Sequence, residues 1–380
     1  MKYFIFLFLI VSFAWAPISN IDWGFYGHRR INKMAVLTLP QEALVFYKRN
    51  IEYISAHAVD PDKRRYALKN EFARHYIDID HWDTIPFINV PRDFKSAILK
   101  FGQLSCLDGG DTIPLRLDPL ILDDVYDVLI HDYRYDVGFK AVQTDSTFMI
   151  KGLECETLYF ENKLVQYGIL PYWLEEFYGR LVWAFEKKDA KAILKISADI
   201  GHYIADGHVP LHTTENYNGQ LTNQLGIHAF WESRLPELYA DENYDFLVGK
   251  AEYIPDIRSY TWDFITESHR LLPDVLRIEK ELSKSFPSDQ QYCFDERLER
   301  TIKTQCPEYC EAYHNAMDGM VEQRMQDAVL AVGSFWYSAW VDAGQPNLNE
   351  ISGVNEEVLE KENQTLDKAF QGGEILGREH

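Results

Sequence analysis

The chain has 380 residues and a formal net charge of −21, with 46% hydrophobic and 14% aromatic residues. Nine Trp, 23 Tyr and 22 Phe offer ample apolar surface for a buried core, which excludes a disordered or low-complexity chain. The acidity excludes stable duplex DNA binding by phosphate neutralisation, which needs clustered Lys and Arg, but not an enzyme that draws positive charge from metal ions.

Met1-Lys2 is followed by an apolar run from Tyr3 to Ala16 that ends in Ala14-Trp15-Ala16. A short basic start, an apolar run too short to span a bilayer comfortably and a small-x-small end form the pattern of a secretory signal peptide. Residues 1–22 are therefore expected to be a signal and short leader, and the mature protein to be secreted or periplasmic. Residues 86–120, rich in Pro and Gly punctuation, read as loops. Further on the pattern is helical. Leu174, Phe177, Leu181 and Phe185 recur every three or four residues, as do Ile193, Ile196, Ile200 and Ile204, with Lys187-Lys188-Asp189 between them as a helix end and an N-cap. Met317, Val321, Ala328, Val332 and Phe335 continue the period. No alternating strand pattern of useful length is present, so an all-α, multi-helix bundle is expected over residues 23–347. From 348 to 380 the composition turns polar without a repeated apolar face, and a disordered tail is expected. Five cysteines allow at most two disulfides. Cys306-x3-Cys310 reads as a local disulfide or two buried thiols rather than a metal pair, because no second Cys/His pair lies nearby.

The chemistry lies in the spacing of the histidines. His202 and Asp206 stand four apart on an expected helix, hence on one face, and Gly207 and Pro210 end that helix before His212. Sixteen residues later His228 and Glu232 repeat the four-residue spacing. Paired imidazoles and carboxylates on facing helices are how bundles build metal sites. Upstream, the segments Trp23-Gly-Phe-Tyr-Gly-His28, His57-Ala-Val-Asp60-Pro-Asp-Lys63-Arg64 and His75-Tyr76-Ile-Asp78 add more ligand-type residues in short stretches.

Taken together these motifs resemble the zinc-dependent phospholipases C and the related S-one/P-one type single-strand nucleases. The resemblance implies a multi-helix bundle with a three-zinc cleft. It implies ligands at Trp23 and His28 for one zinc, Asp60, His75, His202 and Asp206 for a second, with Asp206 also bridging, and His212, His228 and Glu232 for a third. It also implies a substrate-binding role for Tyr76 and Asp78, the positions where the nuclease branch stacks a base. Trp23 can offer its amine only if the mature chain begins there. With residues left ahead of it, two zinc ions are expected.

On this reading a hydroxide between two zincs, available near neutral pH, attacks phosphorus in line. Asp60 orients or deprotonates the water, and Lys63 or Arg64 stabilises the developing charge. The expected function is an exported zinc-dependent phosphodiester hydrolase that is phospholipase C-like. The alternatives are a single-strand nuclease or nucleotidase, and a binding protein that uses zinc only structurally. The expected partner is a phosphodiester, either a phospholipid headgroup with transient membrane-surface contact or a single-stranded nucleic acid. The acid- and aromatic-rich stretch Asp123 to Asp136 offers a cage for a quaternary ammonium or a stack for bases, or else a solvated helix face.

Overall fold

Leu174, Phe177, Leu181 and Phe185 all lie on the buried side of one helix, Leu170–Glu186. Ile193, Ile200 and Ile204 do the same for the next, Ala190–Gly207. Between them Lys188 adopts a left-handed turn, and the Asp189 side chain caps the second helix by accepting from the Ala192 N–H at 3.0 Å. These two helices pack against each other and against Met320–Asp342, which also receives the first helix, Phe25–Val36. The structure, a computed structural model, describes residues 25–108, 111–117, 119–120, 122–123, 148–150, 153–155, 157–297, 300–351, 356–373 and 375–376. The signal-like segment, Trp23 and most of the acid- and aromatic-rich stretch lie outside the described residues. Within them the protein is mostly helical, and no helix is long and apolar enough to cross a membrane.

The Ala190–Gly207 helix is central. Every residue from Ser197 to Gly207 is buried, so its polar groups must find partners inside the protein. Tyr47 and Trp336 stack with ring centroids 4.9 Å apart, and both reach Ser197. The Tyr47 hydroxyl lies 2.8 Å from the Ser197 hydroxyl, and the Trp336 indole N–H donates to the Ser197 carbonyl at 3.1 Å. Gly201 permits a close approach: a Cβ there would lie 2.1 Å from Asn32 Oδ1 of the first helix. Its absence lets the Asn32 amide reach the Ala198 carbonyl at 3.0 Å, which sets the first helix directly beside His202.

Three expectations need correction. The chain does contain strands: β1 (Gly102–Asp108) pairs antiparallel with β2 (Asp111–Leu115) and β5 (Thr157–Asn162), β3 (Phe148–Ile150) with β4 (Leu153–Cys155), and β6 (Tyr292–Arg297) with β7 (Arg300–Gln305). The stretch 86–120 is likewise not all loop, because Asp93 caps the helix Phe94–Phe101 and the first hairpin follows. Residues Glu356–Gly372 form a helix, with Leu366, Ala369 and Phe370 supplying a short apolar strip at helical spacing. Cys306 pairs with Cys293, at a Cα–Cα distance of 5.0 Å, and Cys106 is also disulfide-bonded. Cys310 is a buried thiol, and burial pushes its pKa up to about 11.

Candidate metal centre

Four pieces of chain converge on the C-terminal half of the central helix. His202 and Asp206 project from it one turn apart. His212 comes from the short turn Pro210–Thr213, His28 from the first helix and His75 from the residue after the turn Glu71–Arg74. His228 lies in Ile227–Ala229, and Glu232 in a π turn, Phe230–Arg234, that continues the same helical run.

Hydrogen bonds outside the cluster set which ring nitrogen faces inward. His202 Nδ1–H donates to the Ala58 carbonyl at 2.8 Å, so Nε2 carries the lone pair. That nitrogen lies 3.1 Å from His75 Nδ1 and 3.3 Å from Asp206 Oδ2, and His75 Nδ1 lies 2.9 Å from the same oxygen. Asp62 Oδ1 is 3.8 Å from both nitrogens. In a second group His212 Nδ1–H donates to the His75 carbonyl at 2.6 Å, leaving Nε2 3.0 Å from His228 Nε2 and 3.2 Å from Glu232 Oε2. His228 Nε2 is 2.6 Å from that oxygen. His28 stands between the groups. Its Nε2 lies 3.4 Å from Asp206 Oδ1 and 3.5 Å from Glu232 Oε1, and its ring stacks on His202 at 3.9 Å. Asp206 and Glu232 thus each turn one oxygen to a His pair and the other to His28.

Ring nitrogens 3.0–3.1 Å apart that also face carboxylates need a proton or a metal ion between them. The donor set of imidazole nitrogens and carboxylate oxygens suits a divalent metal, and each group lies within the span of one ion's ligands. In the metal-free chain protons fill that role. Burial opposes ionisation of Asp206, but the His202 and His212 imidazoles outweigh it and hold its carboxyl well below the usual range. Burial is similarly outweighed at Glu232 by His212 and His228. Burial also opposes charge on His202, yet Asp206 and Asp62 raise its pKa from 6.5 to about 9.

The consequence for pH has a definite sign. Protonated His202 stabilises the metal-free fold below 6.5, and that contribution is lost as pH rises through about 9. A metal at this position must displace that proton. Affinity is therefore expected to climb with pH up to about pH 9 and then level off, with protons released on binding. Calorimetry in buffers of differing ionisation enthalpy measures this directly, and a flat profile would remove His202 Nε2 from the donor set.

Of the residues expected from the sequence, the structure brings together His28, His75, His202, Asp206, His212, His228 and Glu232. Asp60 is not among them. Its carboxylate bonds His57 Nδ1 at 2.8 Å and lies 3.8 Å from Lys63, while Asp62 occupies the place beside His75 and His202. Both acids sit on the short helix Asp60–Arg64, and positions two apart on a helix face roughly opposite ways. Asp62→Asn is expected to weaken metal binding about tenfold to a hundredfold, a range typical of losing one supporting group at a metal, and Asp60→Asn to change it little. Competition with a chromophoric chelator separates the two.

Lys63 and Arg64 are both engaged by carboxylates. Lys63 pairs with Asp367 at 2.7 Å, and Arg64 spans Asp199 at 3.0 Å, Glu71 at 3.5 Å and the Tyr203 hydroxyl at 3.3 Å. Tyr76 is 1% exposed, its hydroxyl donating to the Gln166 carbonyl at 3.1 Å. Gly168, at φ +82°, brings the backbone so near that a Cβ would lie 2.1 Å from the Tyr76 carbonyl oxygen. A ring enclosed in this way cannot stack on a base. Asp78 is buried too, its N–H donating to the Tyr167 carbonyl at 2.7 Å. His208, between two cluster residues, donates through Nδ1–H to the Ile204 carbonyl and stacks on Phe264, a packing role.

Sequence reasoning missed Glu71. It is fully buried, bonded to Arg74 at 2.5 Å and to the Tyr203 hydroxyl, and 3.9 Å from His75 Nε2. Burial opposes its ionisation, but Arg74 and Arg64 bring its pKa down to about 2. Its four-residue spacing from His75 was the available signal.

Compared with known proteins, the chain matches no protein-family model and no curated sequence. The metal centre therefore stands on its own geometry: buried groups of His, Asp and Glu that can hold metal ions.

Proposed function

We propose that the protein is an exported, zinc-dependent phosphodiester hydrolase of the phospholipase C and S-one/P-one nuclease type, working on the phospholipase C side of that resemblance. The observation that carries the reading is the sharing of Asp206 and Glu232, each dividing its oxygens between His28 and a pair of imidazoles. Carboxylates shared in this way hold neighbouring cations close together, as a multi-metal phosphoester site requires. His75, His202 and Asp206 would hold one ion, His212, His228 and Glu232 another, and His28 with the second oxygens of Asp206 and Glu232 a third. Bound zinc supplies Lewis acidity and makes water nucleophilic near neutral pH.

The chain's own residues do the rest. The carbonyls of Ala58 and His75 fix the rings of His202 and His212 in the tautomer that turns Nε2 inward. Asp62 is the least buried of the cluster's carboxylates, and its Oδ1 is placed to take the proton of attacking water. Burial opposes its ionisation, but the His202, His75 and His28 imidazoles, helped by Arg65 at 3.5 Å, hold its carboxyl below the usual range. The enclosure of Tyr76 removes the base-stacking position and favours a headgroup over a nucleotide.

The test is one zinc-loaded sample of the mature protein given short-chain phosphatidylcholine and, separately, single-stranded RNA. Release of phosphocholine, abolished by chelator, is expected. Release of mononucleotides alone would move the protein to the nuclease branch, and silence on both would mean another phosphoester or a binding role.

A further inference from the structure

His202 and His212 turn Nε2 inward because their other ring nitrogen, Nδ1, donates to a backbone carbonyl. His28 also faces the centre through Nε2, 3.4 Å from Asp206 and 3.5 Å from Glu232. Its Nδ1, however, is buried and finds no hydrogen-bond partner among the described residues. The indole N–H of Trp231, the residue before Glu232, is buried in the same condition. His28 is 5% and Trp231 3% exposed, so bulk solvent does not serve either group, and buried donors left unmatched are costly.

Both residues line one cavity of about 30 Å³ between the first helix, the central helix, the π turn and the helix Met320–Asp342. A water needs about 10–15 Å³ of such space, so the cavity has room for about two. Ile31, Val209, Val321, Met325 and Ala328 give it apolar walls that offer no hydrogen bonds. Arg324 also reaches it, but that guanidinium is spent on the His208 and Phe264 carbonyls, Ser268 and Asp327, which leaves little to hold an anion. Glu232, at the edge, supplies acceptor oxygens.

We propose that this cavity is a structural water site, in which one water accepts from His28 Nδ1–H and Trp231 Nε1–H and passes its own hydrogens to a second water or to Glu232. Trp231 is then a positioning residue. Acting through the water, it holds His28 in the tautomer whose Nε2 lone pair faces the third metal position, the part that the Ala58 and His75 carbonyls play for His202 and His212. The π turn thus carries Glu232 and the support of His28 on adjacent residues. The role of Trp231 rests on the metal reading, whereas the water site does not.

The test uses the full-length chain, metal-free and zinc-loaded, as wild type, Trp231→Phe and Ala328→Val. Phe keeps an aromatic ring without the N–H, and Val keeps both donors while taking up the space. In the wild type an NMR cross-peak between the Trp231 indole proton and a long-lived water is expected, and Ala328→Val should abolish it. Competition with a chromophoric chelator should show one zinc held about tenfold more weakly in each variant and the others unchanged, the lower end of what an outer partner of a ligand supplies. In the metal-free protein the urea midpoint of Ala328→Val is expected to fall, because added methyl groups stabilise a dry cavity but here expel a water that serves two buried donors. Absence of the cross-peak from the wild type, a raised midpoint in Ala328→Val, or unchanged zinc affinity in Trp231→Phe would overturn the proposal. A chain that binds no zinc yet shows the cross-peak and the lowered midpoint would sustain the water site and sink the metal reading.

Discussion

Asp206→Asn is expected to reduce phosphodiester hydrolysis by about a thousandfold and to lower the number of zinc ions retained after dialysis. The scale follows from chemistry: a metal contributes several kcal/mol to the transition state, and each ~1.4 kcal/mol is tenfold in rate. Few substitutions reach so much with one change of atom, because Asp206 Oδ2 faces His75 and His202 while Oδ1 faces His28. The amide keeps the shape but halves the oxygen donors and removes the charge. Thermal unfolding with and without excess zinc gives an independent reading. Zinc at about a hundred times its dissociation constant stabilises the native wild type by about 2.7 kcal/mol, and the variant should lose most of that increment. A variant that retains both turnover and zinc-dependent stabilisation would remove the shared carboxylate from the mechanism.

Glu71→Gln is expected to produce the largest loss of stability, about 3–5 kcal/mol, read from the shift of the urea midpoint in the metal-free protein. Glu71 is a fully buried carboxylate with guanidinium groups on two sides, Arg74 at 2.5 Å and Arg64 at 3.5 Å. Removing one member of a buried ion network leaves the others desolvated with their charge uncompensated. Arg74 also lies over the Trp173 ring at 4.0 Å, which fixes its position and limits its ability to find water. A loss below about 1 kcal/mol would mean that Asp199 takes over the compensation of Arg64 and that Arg74 relaxes outward.

The sequence was most readable where chemistry and periodicity coincide. His202 with Asp206, and His228 with Glu232, are four apart in the chain and adjacent in space because a helical turn makes them so. The helical core residues follow from the same regularity. Asp60 and Asp62 show where such reading stops. Both are acids of one short helix, and only the direction from which His75 and His202 arrive distinguishes them. Tyr76 could be seen as an aromatic next to a histidine, but its enclosure depends on Gly168, ninety-two positions away along the chain. Lys63 and Arg64 were visible as cations, whereas their neutralisation by Asp367 and Asp199 is wholly tertiary. The C-terminal helix escaped notice because its apolar strip is a single turn wide, too little to stand out without the surface it meets.

The π turn at Phe230–Arg234 gives the centre an unusual sensitivity to chain length. A helix advances about 100° per residue, so deleting one residue between His228 and Glu232 would swing the carboxylate by about that angle and withdraw it by about 1.5 Å. The shortened stretch would still be a good helix, and arguably a more regular one. His212 and His228 would keep their neighbours while Glu232 no longer reached between them and His28. A frame of one residue in a single helical turn therefore decides whether Glu232 can join the two imidazole groups through His28.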